Sequence, residues 1–148
     1  MKFLIVDDDV NKVNSLSQFV EEKYHEVAVE KSSSFQSGLK KINNNCYDII
    51  LLDMSMPLFD ITPEEHGGRP SPLAGKDILH RMKKRKITIP VIIVTQYEDF
   101  DGVPLERLGE KLFEEFPNIF MGYVFYSATH ENWKNDLSML IESTVEGI

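Results

Sequence analysis

Asp53 closes the apolar run Ile49-Ile50-Leu51-Leu52, and a second apolar run, Phe3-Leu4-Ile5-Val6, ends in Asp7-Asp8-Asp9. Two buried-type strands thus deliver carboxylates toward one pocket. In an open parallel α/β sheet, ligands gather at the carboxyl ends of the strands, where neighbouring crossovers wind in opposite directions. Such a cluster of hard oxygen donors is suited to a small divalent cation, with one carboxylate left available for chemistry. Acidic residues after a strand are often helix N-caps, and Asp9 is read that way. Asp7, Asp8 and Asp53 at two strand ends favour a site. Three close carboxylates repel one another, so without a cation at least one pKa should rise or the pocket should stay loose.

The elements that must position these groups follow from hydrophobic periodicity. Phe3–Val6 reads as a strand, followed by a helix with Val13, Leu16, Val20 and Tyr24 at helical spacing. Val27 and Val29 indicate a second strand, and Ser33 or Ser34 can cap a helix bearing Phe35, Leu39 and Ile42. Asp48–Leu52 is the expected third strand, with Ile78, Leu79 and Met82 on a third helix. The β-branched run Val91–Val94 follows Pro90 as strand four. Pro104 suits the first turn of a helix with Leu105, Leu108, Leu112 and Phe116 on one face, stopped by Pro117. Phe120–Phe125 reads as strand five, and Thr129 is the expected cap of a last helix carrying Trp133, Leu137, Leu140 and Ile141. Alternating strands and helices give a (βα)5 α/β fold with a parallel five-stranded sheet and helices on both faces.

A chain of 148 residues, 42% hydrophobic, fits one domain spanning 1–148. The formal charge of −8 argues against nonspecific binding to nucleic acid or acidic membranes. The basic run Lys83-Lys84-Arg85-Lys86 reads as the solvated end of a helix. Cys46 is the single cysteine, which excludes an intrachain disulfide and a multi-cysteine metal site. No signal peptide or span of transmembrane length is visible, so a cytoplasmic location is expected. His25, His66, His80 and His130 lack ligand-type spacing.

These residues resemble the receiver domains of two-component response regulators. FLIVDDD is similar to that family's first strand and acidic pair, on Asp7 and Asp8; DIILLDMSMP resembles the third strand with its phosphoacceptor, on Asp53. VIIVTQ resembles the fourth strand with its hydroxyl switch residue, Thr95, and GYVFYS the fifth, with the aromatic switch position at Tyr123. The resemblance implies a flavodoxin-like doubly wound sheet of strand order 2-1-3-4-5. It also implies Mg²⁺ bound by Asp7, Asp8, Asp53 and the backbone carbonyl of Ser55, and phosphoryl transfer to Asp53 from a sensor histidine kinase, a phosphotransfer protein or a small phosphodonor. Output would run through protein contacts, without turnover catalysis.

Four departures stand out. The family's near-invariant lysine falls on Tyr126, followed by Ser127 in place of proline; a phenol can donate a hydrogen bond but supplies no positive charge. Gln96 replaces the small residue usual after the threonine, which would narrow phosphodonor access. An inserted loop at about 58–74 is either a lid or docking element, with His66, Arg69 or Lys76 offering the missing cation, or a disordered segment. The stretch Tyr97–Asp101 also lengthens the region before the fourth helix. The expected function is therefore a stand-alone receiver in a phosphorelay. The alternative is an atypical pseudo-receiver, a binding module regulated without phosphorylation. A Mg²⁺-dependent phosphohydrolase with an aspartyl-phosphate intermediate would need an acid/base carboxylate two residues beyond Asp53, where Ser55 stands.

Overall fold

A computed structural model describes residues 1–64 and 71–145. The chain runs β1 (Lys2–Val6), α1 (Val10–Lys23), β2 (Ala28–Ser32), α2 (Phe35–Asn44), β3 (Ile49–Leu52), α3 (Ala74–Lys84) and β4 (Val91–Thr95). It continues through β5 (Asp99–Phe100), β6 (Val103–Pro104), α4 (Leu105–Glu115), β7 (Phe120–Phe125) and α5 (Asn132–Thr144). The main sheet is all parallel, ordered β2-β1-β3-β4-β7, which is the expected 2-1-3-4-5 winding. Central strands buried on both faces need apolar residues at every position, and Ile49–Leu52 and Val91–Val94 supply them.

The sheet separates two apolar layers. Leu4, Val6, Ile50, Leu52, Ile93 and Phe120 pack toward α2, α3 and α4. Phe3, Ile5, Leu51, Ile92, Val94 and Val124 face α1 and α5 together with Trp133, Leu137 and Ile141. Successive residues alternate between layers because side chains on a strand have period two. Gly122 has φ +147° beside a register irregularity at Val91/Ile92, where β7 carries one extra residue against β4.

Three details differ from expectation, and a fourth concerns the loop for which two readings were left open. Asp48 stays outside β3 and accepts the Lys2 N–H at 2.7 Å through Oδ2. The segment after β4 forms a hairpin, β5–β6, turning at Asp101 and Gly102, which have φ values of 53° and 82°. Thr129 does not cap α5: Glu131 precedes that helix without a side-chain cap bond, and the hydroxyls of Ser127 and Thr129 lie 3.0 Å apart, bonding each other. The described parts of the inserted loop are docked. The carbonyls of Pro57 and Leu58 accept the N–H groups of Phe35 and Gln36 at the start of α2, and Asp60 accepts hydroxyl bonds from Ser33 and Ser37. Met56 and Ser71 close the loop neck with paired backbone hydrogen bonds. Among the described residues no helix is long and apolar enough to cross a membrane.

Candidate functional site

Register brings the acidic groups together. Val6 pairs with Leu52, and Leu52 with Ile93, so one step further along Asp7, Asp53 and Val94 stand side by side. The Asp53 N–H donates to the Val6 carbonyl and the Asp7 N–H to that of Ser32, both at 2.9 Å, which extends the ladder to the pocket floor. The carboxylates are held as well: Asp7 Oδ1 accepts the Asp9 N–H at 2.9 Å, and Asp53 Oδ1 accepts the Met54 N–H at 2.8 Å. Asp7 and Asp53 are buried and Asp8 stands exposed at the rim. Oxygens of all three carboxylates lie within 4.8 Å of one another, an all-oxygen donor set that fits a hard divalent cation. Asp9 is the N-cap of α1, its Oδ1 accepting the Lys12 N–H at 3.1 Å.

A cation that sequence reasoning overlooked sits among these groups. Lys12, on the first turns of α1, has a fully buried side chain. Its Nζ lies 2.7 Å from Asp7 Oδ2 and 3.4 Å from Asp53 Oδ1, and donates at 2.6 Å to the Val94 carbonyl. One ammonium thus touches three adjacent strands. Burial pushes the Asp53 carboxyl up to about 7 against the pull of Lys12, with the neighbouring Asp7 charge adding to the rise. Asp7 is raised by the same desolvation, again opposed by Lys12. The sequence did carry a signal, because Lys12 precedes Leu16 and Val20 by four and eight residues and so shares their buried row.

The family model for the response regulator receiver domain matches residues 3–107, which include both acidic strand ends. The chain belongs to this family. The receiver is 38% identical over 143 residues to the Detocs response regulatory protein DtcB of Enterobacter cloacae, covering 93% of this chain and 95% of that protein. It is 32% identical over 141 residues to the uncharacterized protein y4jR of Sinorhizobium fredii, covering 90% and 92%. Among solved structures, a receiver domain protein from Clostridium thermocellum superposes with a TM-score of 0.67 at 25% identity, covering 97% of this chain and 92% of that one. A CheY-like receiver from Methanospirillum hungatei gives 0.63 at 23% identity, with the same coverage.

Other expected site residues of the receiver take distinct places. Thr95 ends β4, fully buried, and its Oγ1 accepts the Tyr97 N–H at 3.2 Å. Ser55 is half-buried two residues past Asp53. Tyr123 is half-buried on β7, against Gly109 of α4. Tyr126 is buried in the α1–α5 layer: its ring centroid is 5.1 Å from that of Trp133, and Lys12 Nζ is 5.9 Å from it. Gln96 reaches over the pocket rim, its side-chain amide donating to Asp9 Oδ2 at 3.3 Å. Lys76 instead faces Glu115 at 3.8 Å, while His66 and Arg69 lie outside the described residues.

Proposed function

We propose that this chain, as a single receiver unit over 1–148, accepts a phosphoryl group on Asp53 and signals through protein contacts. The observation that carries this reading is the buried Asp53 carboxylate beside Asp7, its oxygens within 4.8 Å of those of Asp7 and Asp8. An Asp53 oxygen attacks the phosphorus of a phosphohistidine or acetyl phosphate in line. The phosphorus bond to imidazole nitrogen or acetate oxygen breaks, and the departing group leaves with that electron pair and takes up a proton as its basicity requires. Asp7, Asp8, Asp53 and the Ser55 carbonyl would hold Mg²⁺, which when bound offsets charge on the incoming phosphoryl group.

The aspartyl phosphate adds negative charge and acceptor oxygens at the end of β3. Thr95 then turns its hydroxyl toward them and releases the Tyr97 N–H it now accepts, loosening the segment that leads into the β5–β6 hairpin. Tyr123, at the α4–β7 seam, follows by moving inward, and the altered face binds an output protein. A sensor histidine kinase or phosphotransfer protein is the donor partner. The likeness to the Enterobacter response regulatory protein supports the same kind of role for this chain.

Intact mass after incubation with Mg²⁺ and acetyl phosphate tests the reading. One hydroxylamine-labile phosphoryl adduct is expected in the wild type and none in Asp53→Asn. Absence of an adduct in the wild type, while Mg²⁺ binds and a control receiver labels, overturns it and points to a pseudo-receiver.

A further inference from the structure

We infer that Lys12 is the cation that meets the phosphoryl group on Asp53, so that α1 supplies the charge missing from position 126. The inference rests on Asp53 being the phosphoacceptor and assigns that site a further catalytic residue. An ammonium has three hydrogens to place and is costly to bury unless they are satisfied. The Lys12 Nζ has three acceptors within reach, two short and one long: Asp7 Oδ2 at 2.7 Å, the Val94 carbonyl at 2.6 Å and Asp53 Oδ1 at 3.4 Å. The longest contact points at the atom group that reacts. A phosphoryl group there brings a further one to two negative charges, and an ammonium already desolvated beside it contributes more than a solvated one.

Helix electrostatics argue the same way. The N-terminal end of a helix carries partial positive charge, so a lysine in the first turn of α1 opposes the dipole. Lys12 is stable there because the acidic pocket compensates it, which ties the residue to the site and not to helix formation. Position 126 approaches the same space from β7, since Tyr126 presents its ring to Nζ at 5.9 Å. The ring packs on Trp133 and supplies no charge, and Lys12 fills that electrostatic role from the other side. The Val94 bond has a consequence: the ammonium also grips β4 one residue before Thr95, so its shift toward a phosphoryl oxygen pulls on the switch strand directly.

A purely structural counter-ion would not combine slowed labelling, tighter Mg²⁺ binding and rescue from position 126. Labelling rates with Mg²⁺ and acetyl phosphate, and Mg²⁺ affinity by calorimetry, are measured for the wild type, Lys12→Met, and Lys12→Met combined with Tyr126→Lys. Lys12→Met should label roughly a hundredfold more slowly, as when one donor to a developing charge is removed. It should nevertheless bind Mg²⁺ roughly tenfold more tightly, because a cation competing for the same carboxylates is gone. The double variant should regain most of the rate. Wild-type labelling in Lys12→Met overturns the inference alone, as does a parallel loss of rate and Mg²⁺ affinity. A wild type that binds Mg²⁺ without labelling overturns the phosphoacceptor reading, and this inference with it. If Lys12→Met does not fold, the ¹⁵N resonance of Lys12 Nζ in the wild type decides. It should shift when beryllofluoride is added with Mg²⁺, and an unmoved resonance overturns the role.

Discussion

The acidic pocket and the α4–β7 face sit on the same sheet but are built in opposite ways. In the pocket, backbone N–H groups fix Asp7 and Asp53, Lys12 joins three strands, and the turn after Asp53 presses against Gly75. On the other face Tyr123 lines a cavity of about 380 Å³ with Glu98, Pro104, Leu105, Glu106 and Phe125, beside a hairpin of two-residue strands. Phe113 and Phe125 are 46% and 40% exposed there. Charge and hydrogen bonds allow the pocket few alternative arrangements. Aromatic packing around spare volume allows several of similar energy, which suits the output face proposed above.

The largest expected effect comes from charge stored in the pocket. The folded-state pKa of Asp53 is raised from 3.8 to about 7, so the folded protein binds a proton that the unfolded chain has already released. Stability is therefore highest below about pH 4 as far as this group is concerned. It falls as pH rises toward 7, by on the order of 4 kcal/mol, because each tenfold difference in proton affinity between the folded and unfolded chain is worth about 1.4 kcal/mol. Urea melts of metal-free protein across that window should show the decline, and saturating Mg²⁺ should flatten it. A flat profile without metal would mean that the pocket is not strained, and would remove half of the contrast between the two regions.

Packing gives the next largest effect. A Cβ on Gly75 would stand 2.6 Å from the Asp53 carbonyl oxygen and 3.0 Å from Met54 Cα, both backbone atoms that cannot swing aside. Gly75→Ala should cost about 2 kcal/mol from overpacking, even after the gain in helix propensity. If Asp53 is the phosphoacceptor proposed above, labelling should also slow, because the start of α3 must retreat from the turn that follows Asp53. Thermal melts and intact-mass kinetics on one preparation check both. An unchanged labelling rate would show that the turn tolerates displacement.

What the sequence made legible reflects where the information lay. β7 falls on Phe120–Phe125, as the apolar run indicates, and Asp7, Asp8 and Asp53 meet because strand ends are visible as the points where such runs stop. Lys12 was hidden for a physical reason. Reading the helix from Val13, Leu16 and Val20 leaves Lys12, just before that row begins, as a solvated end residue, and only the fold shows that the row through positions 12, 16 and 20 ends over the carboxylates. The β5–β6 hairpin was missed because two residues per strand carry no periodicity, although the Asp101-Gly102 pair is a turn signal for two positive φ values. Thr129 had the right chemistry for a cap, but α5 starts only at Asn132, two residues too late for Thr129 to cap it, and its hydroxyl bonds with that of Ser127 instead.

The smallest expected effect is the most direct test of the plastic face. A Cβ on Gly109 would meet Tyr123 Cε1 at 2.6 Å and Cδ1 at 2.8 Å, a clash as close as the one at Gly75. Here the obstacle is a ring beside a cavity, which has somewhere to go. Helix propensity favours Gly109→Ala by up to about 1 kcal/mol and ring displacement costs a similar amount, so stability should change by less than about 1 kcal/mol. Labelling at Asp53 should be unchanged while the Tyr123 ring resonances move. Equal destabilisation by Gly109→Ala and Gly75→Ala would mean that the two regions are equally rigid, and the output would then need a different moving part. A displaced ring with intact labelling would separate input from output at one residue, because the same steric overlap is absorbed by a side chain on one face and resisted by backbone on the other.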